Sequence, residues 1–500
     1  MRSPGERAGV DRPAPAPPGP GPARSSVDDT VRGLFGRDSI YMMLWLLQLG
    51  GTAAVTPIIT RLLGLDQFGR VAAAIVLMQV LVVLAGCGLQ VAVQRRFADR
   101  GAAAAAGLLT VSLLAAALVA GTAVATSSLW GPQLGFAGDS VVVRLAVLWA
   151  GTSAVTACCL GLLRSQDRLV GFTAVSLAQS VLAEVTSLVL ILVLGRTAEM
   201  FLVGQLAAQL LAGLVAVVLA RPRMLRRGDG PLVRTGLAYA LPLVPATLGA
   251  VVLNSAGTLL VHGYLGSEAV ARYAVAATIG SIPILVLGAL DSIWLPRIFA
   301  VDDEADRDAV LAASRDALFR LLGPVMVGLS VASPLLLRLW APAQFGTEGL
   351  LFLTAVVIVG AVPYAMMLSS RRGLLARSST VSIAVATLLA VVVDIGSNVV
   401  LLPLIGLVGA ALATLAAFSV QQACQYLLSK APRRRGGTGR GTLRAGVAGA
   451  AALASAALPL SVPGMVVRVV LAVACLVWFA RVLIGIAPVR WPVRARRRAT

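Results

Sequence analysis

Charged side chains are scarce in this 500-residue chain. Asp, Glu, Lys and Arg together make up 13% of the residues, against about 25% in soluble globular proteins. Hydrophobic residues make up 58%, and the mean hydropathy is +0.89. Long apolar runs alternate with short breaks that carry arginine, and each run reaches the roughly 20 residues that cross a bilayer. These patterns exclude a soluble globular protein and predict an all-α polytopic membrane protein.

Lysine and histidine each occur once, as Lys430 and His262. Because Lys430 follows Ser429 rather than glycine, the chain has no Walker-type phosphate loop, and a single histidine excludes an HExxH zinc site. No Ser/His/Asp or paired-carboxylate constellation stands out. We therefore predict a protein that is not an enzyme, with no catalytic residue, no metal and no cofactor. The five cysteines all lie within apolar runs, which argues against a disulfide framework.

The net charge of +20 would suit a nucleic-acid partner, but two features argue against one. Aromatic residues make up only 5% of the chain, and the basic residues lie in the breaks between apolar runs rather than along one face. The charge is therefore interpreted as a signal for membrane orientation, with no nucleic acid bound.

Fourteen apolar segments are candidate membrane spans. They lie near residues 39–60, 71–93, 105–127, 141–163, 169–194, 200–220, 236–261, 273–294, 318–339, 350–369, 379–402, 405–428, 443–463 and 466–487. With a cytoplasmic N-terminus, most basic residues fall on the cytoplasmic side, as the positive-inside rule requires. The residues on or near the outer side are Arg61, Arg70, Arg144, Arg196, Arg272, Arg338 and Arg468. This asymmetry predicts an even number of spans and two cytoplasmic termini.

The spans predict two six-helix lobes followed by an additional helix pair. The first segment, 1–37, holds seven prolines and no apolar run, which predicts a disordered basic cytoplasmic tail without a cleavable signal peptide. The remaining segments are the N-lobe (38–220), a cytoplasmic linker (221–235), the C-lobe (236–429), a basic loop (430–442), the helix pair (443–487) and a basic tail (488–500).

A gapless shift of 202 residues aligns the start of the C-lobe with the start of the N-lobe. The matches include three charged pairs at one offset, namely Asp66 with Glu268, Arg70 with Arg272 and Arg95 with Arg297. Six spans separate the copies, so both lobes have the same orientation. A parallel repeat of this kind predicts a cavity between the lobes near the midplane, suited to alternating access.

Two short motifs resemble those of a known family. The stretch Thr60-Arg61-Leu62-Leu63-Gly64 with Phe68-Gly69 resembles the first outer loop of bacterial polysaccharide and oligosaccharide-lipid exporters. Asn398, Pro403 and the run Gly406 to Thr414 resemble their motif around spans 11 and 12. The likeness covers residues 39–428 and points to the polysaccharide/oligosaccharide-lipid flippase family. Its superfamily also contains multidrug and toxin extruders and the lipid II flippase.

The second motif also has a purely structural interpretation. Pro403 and Gly406 are expected to break the helices at a short outer turn. Gly409, Ala410 and Ala413 form a small-residue face that allows close helix packing in lipid. Packing is therefore a simpler explanation of this motif than substrate contact is. Many flippases of this branch have 12 helices, so the extra pair leaves the lipid II flippase group or another variant open.

Carboxylates inside spans are costly to insert and are therefore candidate functional groups. Glu184 in span 5, Asp394 in span 11 and Asp291 near the cytoplasmic end of span 8 are candidates for ion coupling through H⁺ or Na⁺. The alternative for each is a structural ion pair with a neighbouring arginine, or an interfacial position for Asp291.

A lipid diphosphate headgroup suits arginine, which binds it bidentately. The candidate substrate-binding arginines are Arg61, where the resembling family also places arginine, Arg70, Arg144 and Arg272. The alternative is snorkelling to outer headgroups. Sugar hydroxyls favour amides and aromatic rings, and the candidates are Gln48, Gln90, Gln179, Asn254, Asn398 and Tyr239. Interhelical hydrogen bonds explain these residues equally well, and His262 is a weaker candidate for a proton switch.

The resemblance implies a flippase that moves an undecaprenyl-diphosphate-linked saccharide to the outer leaflet of a bacterial cytoplasmic membrane, in cell-envelope polysaccharide biosynthesis. Its partners would be membrane lipids and a glycosyltransferase or polymerase. A multidrug–cation antiporter is the first alternative, with a narrow site dominated by Glu184 or Asp394. A non-transport scaffold of a polysaccharide synthase complex is the second. The arginine content and the motif at spans 11 and 12 favour the flippase.

Overall fold

The computed structural model of the protein describes residues 25–226, 228–299, 304–376, 379–429 and 438–486, with side chains from Val55 onward. Within these ranges all regular structure is helical, as the sequence predicts. The chain divides into two compact units, residues 1–50 and 51–500. The described part of the first unit, residues 25–50, is helical, but the side chain of the candidate Gln48 lies outside the described ones.

The first nine helices are α1 (Ser25–Gly86), α2 (Leu89–Arg100), α3 (Ala102–Ala125), α4 (Ser127–Trp130), α5 (Ser140–Ser165), α6 (Leu169–Leu177), α7 (Ala183–Val193), α8 (Ala198–Ala220) and α9 (Gly230–Ala240). The next nine are α10 (Val244–Gly280), α11 (Ile282–Phe299), α12 (Glu304–Trp340), α13 (Leu351–Val359), α14 (Ala361–Ala376), α15 (Thr380–Ile405), α16 (Leu407–Leu428), α17 (Thr438–Ala456) and α18 (Val462–Ile486). A π-helical segment, Ala178–Leu182, joins α6 to α7, and a 3-10 turn, Leu241–Leu243, joins α9 to α10.

Eleven helical stretches in the described part of the chain are long and apolar enough to cross a membrane. The predicted count of fourteen is not confirmed. One stretch, Gly230–Gly280, contains the predicted span 7 and the start of span 8, and the next apolar helix, Ile282–Ser292, is short. Predicted span 1 lies mostly before Val55, and its side chains are outside the described ones.

A glycine break recurs in both lobes. α1 is interrupted at Gly64, with φ +74° and ψ −177°, and α10 is interrupted at Gly266, with φ +81° and ψ −179°. Only glycine adopts this backbone region readily. The two glycines are 202 residues apart, which is the offset found in the sequence, so the same bend occurs at the same place in each lobe.

A second glycine turn joins α15 to α16. Gly406 has φ +59°, whereas Pro403 lies inside the last turn of α15. The helix therefore continues past Pro403, although proline cannot donate a backbone hydrogen bond to the preceding turn, and the break falls at Gly406. A Cβ on Gly409 would lie 2.5 Å from the carbonyl oxygen of Leu401. This close approach explains the small residue in the motif.

The apolar cores differ between the two ends of the bundle. We call the end with the arginine pairs Arg95–Arg96 and Arg371–Arg372 the basic end, and the end with Gly64 and Gly266 the opposite end. One continuous core at the opposite end contains residues of α1, α5, α8, α10, α12, α13 and α16. At the basic end the N-lobe core (α2, α3, α5, α6, α8 and Ala240 of α9) and the C-lobe core (α11, α12, α13, α14, α17) are separate clusters. The lobes are therefore joined through apolar packing mainly at the opposite end.

Candidate functional site

A buried polar cluster lies inside the C-lobe. Asp394 and Asn398 are four residues apart on α15, so they share one helix face. Both side chains are fully buried. The Asn398 side-chain Nδ2 donates a hydrogen bond to the backbone carbonyl of Asp394 at 2.9 Å. The sequence predicts both residues as candidates, and the structure brings them together.

Two neighbouring helices complete the cluster. Tyr273 of α10 is buried, and Thr414 of α16 lies beside both Tyr273 and Asp394. A Cβ placed on Gly257 of α10 would lie 3.3 Å from the Tyr273 hydroxyl and 3.9 Å from both Asn398 Oδ1 and Thr414 Oγ1. The oxygens of three helices therefore converge on the bare backbone of Gly257.

Several oxygens of this cluster lack a partner. Among the described residues, neither carboxylate oxygen of Asp394 nor Oδ1 of Asn398 accepts a hydrogen bond of standard geometry, and the Thr414 hydroxyl donates to Ala410 instead, at 3.2 Å. Burying an unpaired carboxylate costs several kcal/mol. Carboxylate, amide and hydroxyl oxygens are ligands for hard cations, and a proton removes the same penalty. The arrangement can hold one small cation or one proton.

The polar cluster continues along α16. Gln421 Nε2 donates to Thr387 Oγ1 at 3.0 Å, and Gln425 is fully buried with no partner for either of its side-chain polar atoms in the described part of the chain. Sequence reasoning did not single out Tyr273, Thr414, Gln421 or Gln425 as site residues. The available signal was helical spacing, since Thr414, Gln421 and Gln425 follow one another at intervals of seven and four residues.

Glu184 occupies a different position in the N-lobe. It lies in the first turn of α7, half-buried, directly after the π-helical segment that contains Gln179. π-segments within α-helices are frequent at functional sites. Because α7 packs on α8 and α15 packs on α10 and α16, Glu184 and Asp394 belong to separate clusters, and a coupling role for Glu184 stays a prediction.

Asp291 is part of a buried ion pair at the basic end. The Nε of Arg372 lies 2.6 Å from Asp291 Oδ1, and the Arg372 side chain is 1% exposed. Arg372 also donates to Ser314 at 3.1 Å and lies 5.3 Å from the centre of the Trp294 ring. This network ties α11, α12 and α14 together. Ion coupling by Asp291 stays a prediction, and its observed contact is with arginine.

Arg61 and Thr60 connect α1 to the end of α12. Arg61 donates to the carbonyls of Leu339 and Arg338 at 2.9 and 3.4 Å, and the buried Thr60 donates to the carbonyl of Trp340 at 2.7 Å. The last carbonyls of a helix have no partner within it, so these two side chains cap α12 from the other lobe. Arg61 therefore lies at the contact between lobes at the opposite end.

The equivalent segments of α1 and α10 that follow Gly64 and Gly266 also contact each other. The Ser267 hydroxyl is hydrogen-bonded to Asp66, and Gly69 packs directly on the carbonyl of Ser267. Arg70 pairs with Asp66 at 3.0 Å and with Asp139 at 2.9 Å. Burial raises the pKa of the Asp139 carboxyl, and Arg70 offsets part of this effect.

The remaining candidates are dispersed. Arg272 is half-buried, and its Nε has no partner among the described residues. Arg144 is exposed on the face of α5 that also carries Val141 and Leu148. Asn254 is exposed and donates to Ala250 at 2.7 Å. His262 is buried with its ring 4.5 Å from that of Phe136.

The comparisons with known proteins agree with this architecture. Residues 58–347 match the family described as polysaccharide biosynthesis protein. The structure of the lipid II flippase MurJ in an inward closed conformation superposes with a TM-score of 0.69 at 12% identity, covering 89% of this chain and 99% of that one. An inward-facing multidrug resistance transporter of the MATE family gives 0.59 at 15% identity, covering 80% and 95%.

An outward-facing MATE transporter gives a TM-score of 0.52 at 16% identity, covering 82% of this chain and 94% of that one. No curated protein matches the chain in sequence. At these identities the structural likeness shows the fold, while the family match covers more than half of the chain. The protein is an integral multi-pass membrane protein with the fold of MurJ and the MATE transporters, and it belongs to the polysaccharide biosynthesis protein family.

Proposed function

We propose that the protein is a flippase that moves a lipid-linked saccharide across the membrane by alternating access. The saccharide passes between the lobes while its lipid tail stays in the bilayer. In this proposal the family match supports the saccharide class of the substrate, and the fold shared with a lipid II flippase supports a lipid carrier.

One observation carries the mechanism, which is the unequal packing of the two ends. The lobes share a single apolar core at the opposite end and have separate cores at the basic end. Alternating access requires lobes that close at one end while they separate at the other. The contacts of Thr60 and Arg61 with α12 and of Gly69 with Ser267 lie at the closed end.

Asp394 is the proposed coupling group. Its cluster joins α15 and α16 to α10, and α10 also carries the Gly266 break beside the contact between lobes. A proton or Na⁺ on Asp394 lowers the free energy of the arrangement that buries it. The ion gradient can therefore bias the equilibrium between two arrangements by the difference in ion affinity.

The test is a flipping assay in reconstituted vesicles with a fluorescent lipid-linked sugar. The wild-type protein is expected to transfer the sugar between leaflets faster than protein-free vesicles, and a proton or Na⁺ gradient is expected to change the rate. Flipping at the protein-free rate under every gradient contradicts the proposal.

A multidrug–cation antiporter is the second candidate, and the shared MATE fold together with the buried carboxylate favours it. It predicts uptake of small cationic dyes that depends on Asp394 and no transfer of the lipid-linked sugar. A scaffold for a polysaccharide synthase predicts neither activity, and it predicts that Asp394→Asn leaves polysaccharide production in cells unchanged.

The proposed location is a bacterial cytoplasmic membrane with both termini and the basic end in the cytoplasm. A glycosyltransferase or polymerase is the proposed partner. The distribution of arginine supports this orientation. Fluorescent proteins fused to the N-terminus and to the C-terminus are both expected to mature. Activity of a reporter that works only in the outer compartment, fused to either terminus, contradicts the orientation.

A further inference from the structure

A cavity of about 270 Å³ lies at the basic end between α2 and α9. Its polar lining consists of Arg95, Arg96 and Asp99 on α2 and Thr235 and Tyr239 on α9. Its volume approaches the lower limit of typical ligand pockets, which hold about 300–1,000 Å³. The volume exceeds what a single phosphate group needs.

The side chains of this cavity present cations and an aromatic ring. The guanidinium carbon of Arg95 lies 4.3 Å from the centre of the Tyr239 ring, and Arg96 is hydrogen-bonded to the Thr235 hydroxyl. Asp99 is the acid of the lining, 3.6 Å from Arg95, and both side chains of this pair are more than half exposed. Arg95 can therefore exchange an exposed ion pair for an anionic ligand, and Arg96 can exchange the neutral hydroxyl of Thr235 for one.

The α9 wall of the cavity packs on the N-lobe and leads into the C-lobe. α9 packs on the N-lobe through glycine, since a Cβ on Gly236 would lie 2.5 Å from Leu108 of α3, and a Cβ on Gly88 would lie 2.4 Å from the carbonyl of Ala240. Directly after Ala240 the 3-10 turn leads into α10, which packs on α13, α15 and α16 of the C-lobe. A ligand in this cavity therefore lies beside the connection from the N-lobe core to the C-lobe.

We propose that this cavity is the loading site for the diphosphate of the lipid-linked saccharide, with Arg95 and Arg96 binding the two phosphates and Tyr239 stacking on the first sugar. The proposal rests on the flippase function proposed above. Adjacent guanidinium groups match two linked phosphates bidentately, and an aromatic ring presents a flat face to a sugar. A phospholipid headgroup with one phosphodiester uses neither the second arginine nor the ring.

The binding test uses a farnesyl diphosphate that carries one fluorescent N-acetylglucosamine, with the full-length protein in detergent. Arg95→Gln and Arg96→Gln are each expected to raise the dissociation constant about tenfold, which is the loss of one charge-assisted interaction. Arg100→Gln is the matched control, because Arg100 is an exposed arginine on the same helix that does not line the cavity. It is expected to change the constant less than about twofold.

A variant whose dissociation constant is expected to fall rather than rise gives a second test. Asp99→Asn removes the carboxylate that competes for Arg95, so the dissociation constant is expected to fall about threefold. Tyr239→Leu is expected to weaken the sugar-bearing probe but not farnesyl diphosphate without the sugar. Monodisperse elution of each variant verifies that it is folded.

Competition identifies the source of the phosphate. Farnesyl diphosphate is expected to displace the probe, whereas dioleoylphosphatidylglycerol at equal concentration displaces little. Equal displacement by the phospholipid, or equal losses for Arg96→Gln and Arg100→Gln, overturns the loading site and indicates general attraction to an anionic surface.

The flipping assay separates this proposal from the function on which it rests. If wild-type protein flips the sugar lipid but Arg95→Gln and Arg96→Gln bind the probe normally, the loading site is wrong and the flippase function stands. If wild-type protein binds the probe with the expected variant pattern but flips nothing, the site stands and the transport function is wrong.

Discussion

The two lobes repeat the same backbone bend but differ in what they bury. Gly64 and Gly266 have nearly equal torsion angles in equivalent positions. The carboxylates of the equivalent helical regions differ, because Asp394 is fully buried in α15 while Glu184 is half-buried beside a π-segment. A duplicated scaffold can therefore preserve backbone geometry in both copies while one copy buries its carboxylate more completely than the other.

The largest expected effect tests the difference between the two carboxylates, Asp394 and Glu184. Asp394→Asn is expected to lower the ion-driven flipping rate by about 100-fold, near the upper end of typical coupling free energies. Glu184→Gln, the matched change in the other lobe, is expected to stay within about threefold of wild type. The measurement is the initial rate in vesicles with and without the ion gradient. Loss of gradient dependence in Glu184→Gln but not in Asp394→Asn would reverse the assignment.

The next effect concerns the contact between the equivalent segments of α1 and α10 that follow Gly64 and Gly266. In Gly69→Ala the new Cβ would lie 1.8 Å from the carbonyl oxygen of Ser267, so these segments of α1 and α10 must separate. We expect a loss of about 1–3 kcal/mol in the free energy of unfolding, as for other overpacked sites. Thermal unfolding in detergent measures it.

The repeat supplies a control for this change. Ala271 is the residue that matches Gly69 in the C-lobe, and Ala271→Gly removes one buried methyl group, which costs about 1 kcal/mol. If Gly69→Ala lowers the free energy of unfolding no more than Ala271→Gly does, α1 and α10 do not approach as closely at Gly69 and Ser267 as described.

Two smaller effects on thermal stability, expected to be equal, test whether the backbone bend is the same in both lobes. Gly64→Ala and Gly266→Ala each force alanine into a positive-φ conformation, which costs about 1–2 kcal/mol. Space does not add to the strain, since the nearest atom to a Cβ at Gly64 is Gln344 Nε2 at 3.7 Å and none lies within 4 Å at Gly266. We expect equal shifts of the thermal midpoint. A difference equivalent to more than about 1 kcal/mol would contradict the repeated bend.

The smallest effect concerns pH and the loop of the N-lobe. Burial raises the pKa of Asp139 in the folded protein, so the folded state binds this proton more tightly than the unfolded state does. Its contribution is favourable at acid pH and is lost as pH rises through the folded pKa. Asp139→Asn is expected to flatten the stability profile in that acid range relative to wild type. An unchanged slope would contradict the shift.

Much of the architecture follows from the sequence because it depends on local rules. The apolar runs predict helices, and the 202-residue offset predicts a repeat whose two copies share a break at Gly64 and Gly266 in the structure. The number of spans is less accessible, because helices that continue through a glycine bend do not end where hydropathy falls. Pro403 illustrates the same limit, since it lies within the last turn of α15 rather than ending the helix.

The site is only partly accessible from the sequence. Asp394 and Asn398 are recognisable because polar residues in apolar spans stand out, and their four-residue spacing places them on one face. Tyr273 and Thr414 join them through the packing of three helices, which no local pattern encodes. Arg372 lies in a break between apolar runs, yet its side chain is buried because Asp291 from a distant part of the chain neutralises it.

The position of α9 has a mechanical consequence. This helix packs on the N-lobe at Gly88 and Gly236, while α10 packs on helices of the C-lobe, so the 3-10 turn Leu241–Leu243 would act as a flexure in the proposed alternating-access cycle. Pro242 and Pro245 carry no amide hydrogen, so two backbone hydrogen bonds of a regular helix are missing here, while Val244 still donates to the carbonyl of Leu241. The turn is therefore held by fewer backbone hydrogen bonds than a continuous helix, and stiffening it is expected to slow the proposed cycle without changing Asp394, Arg95 or Arg96.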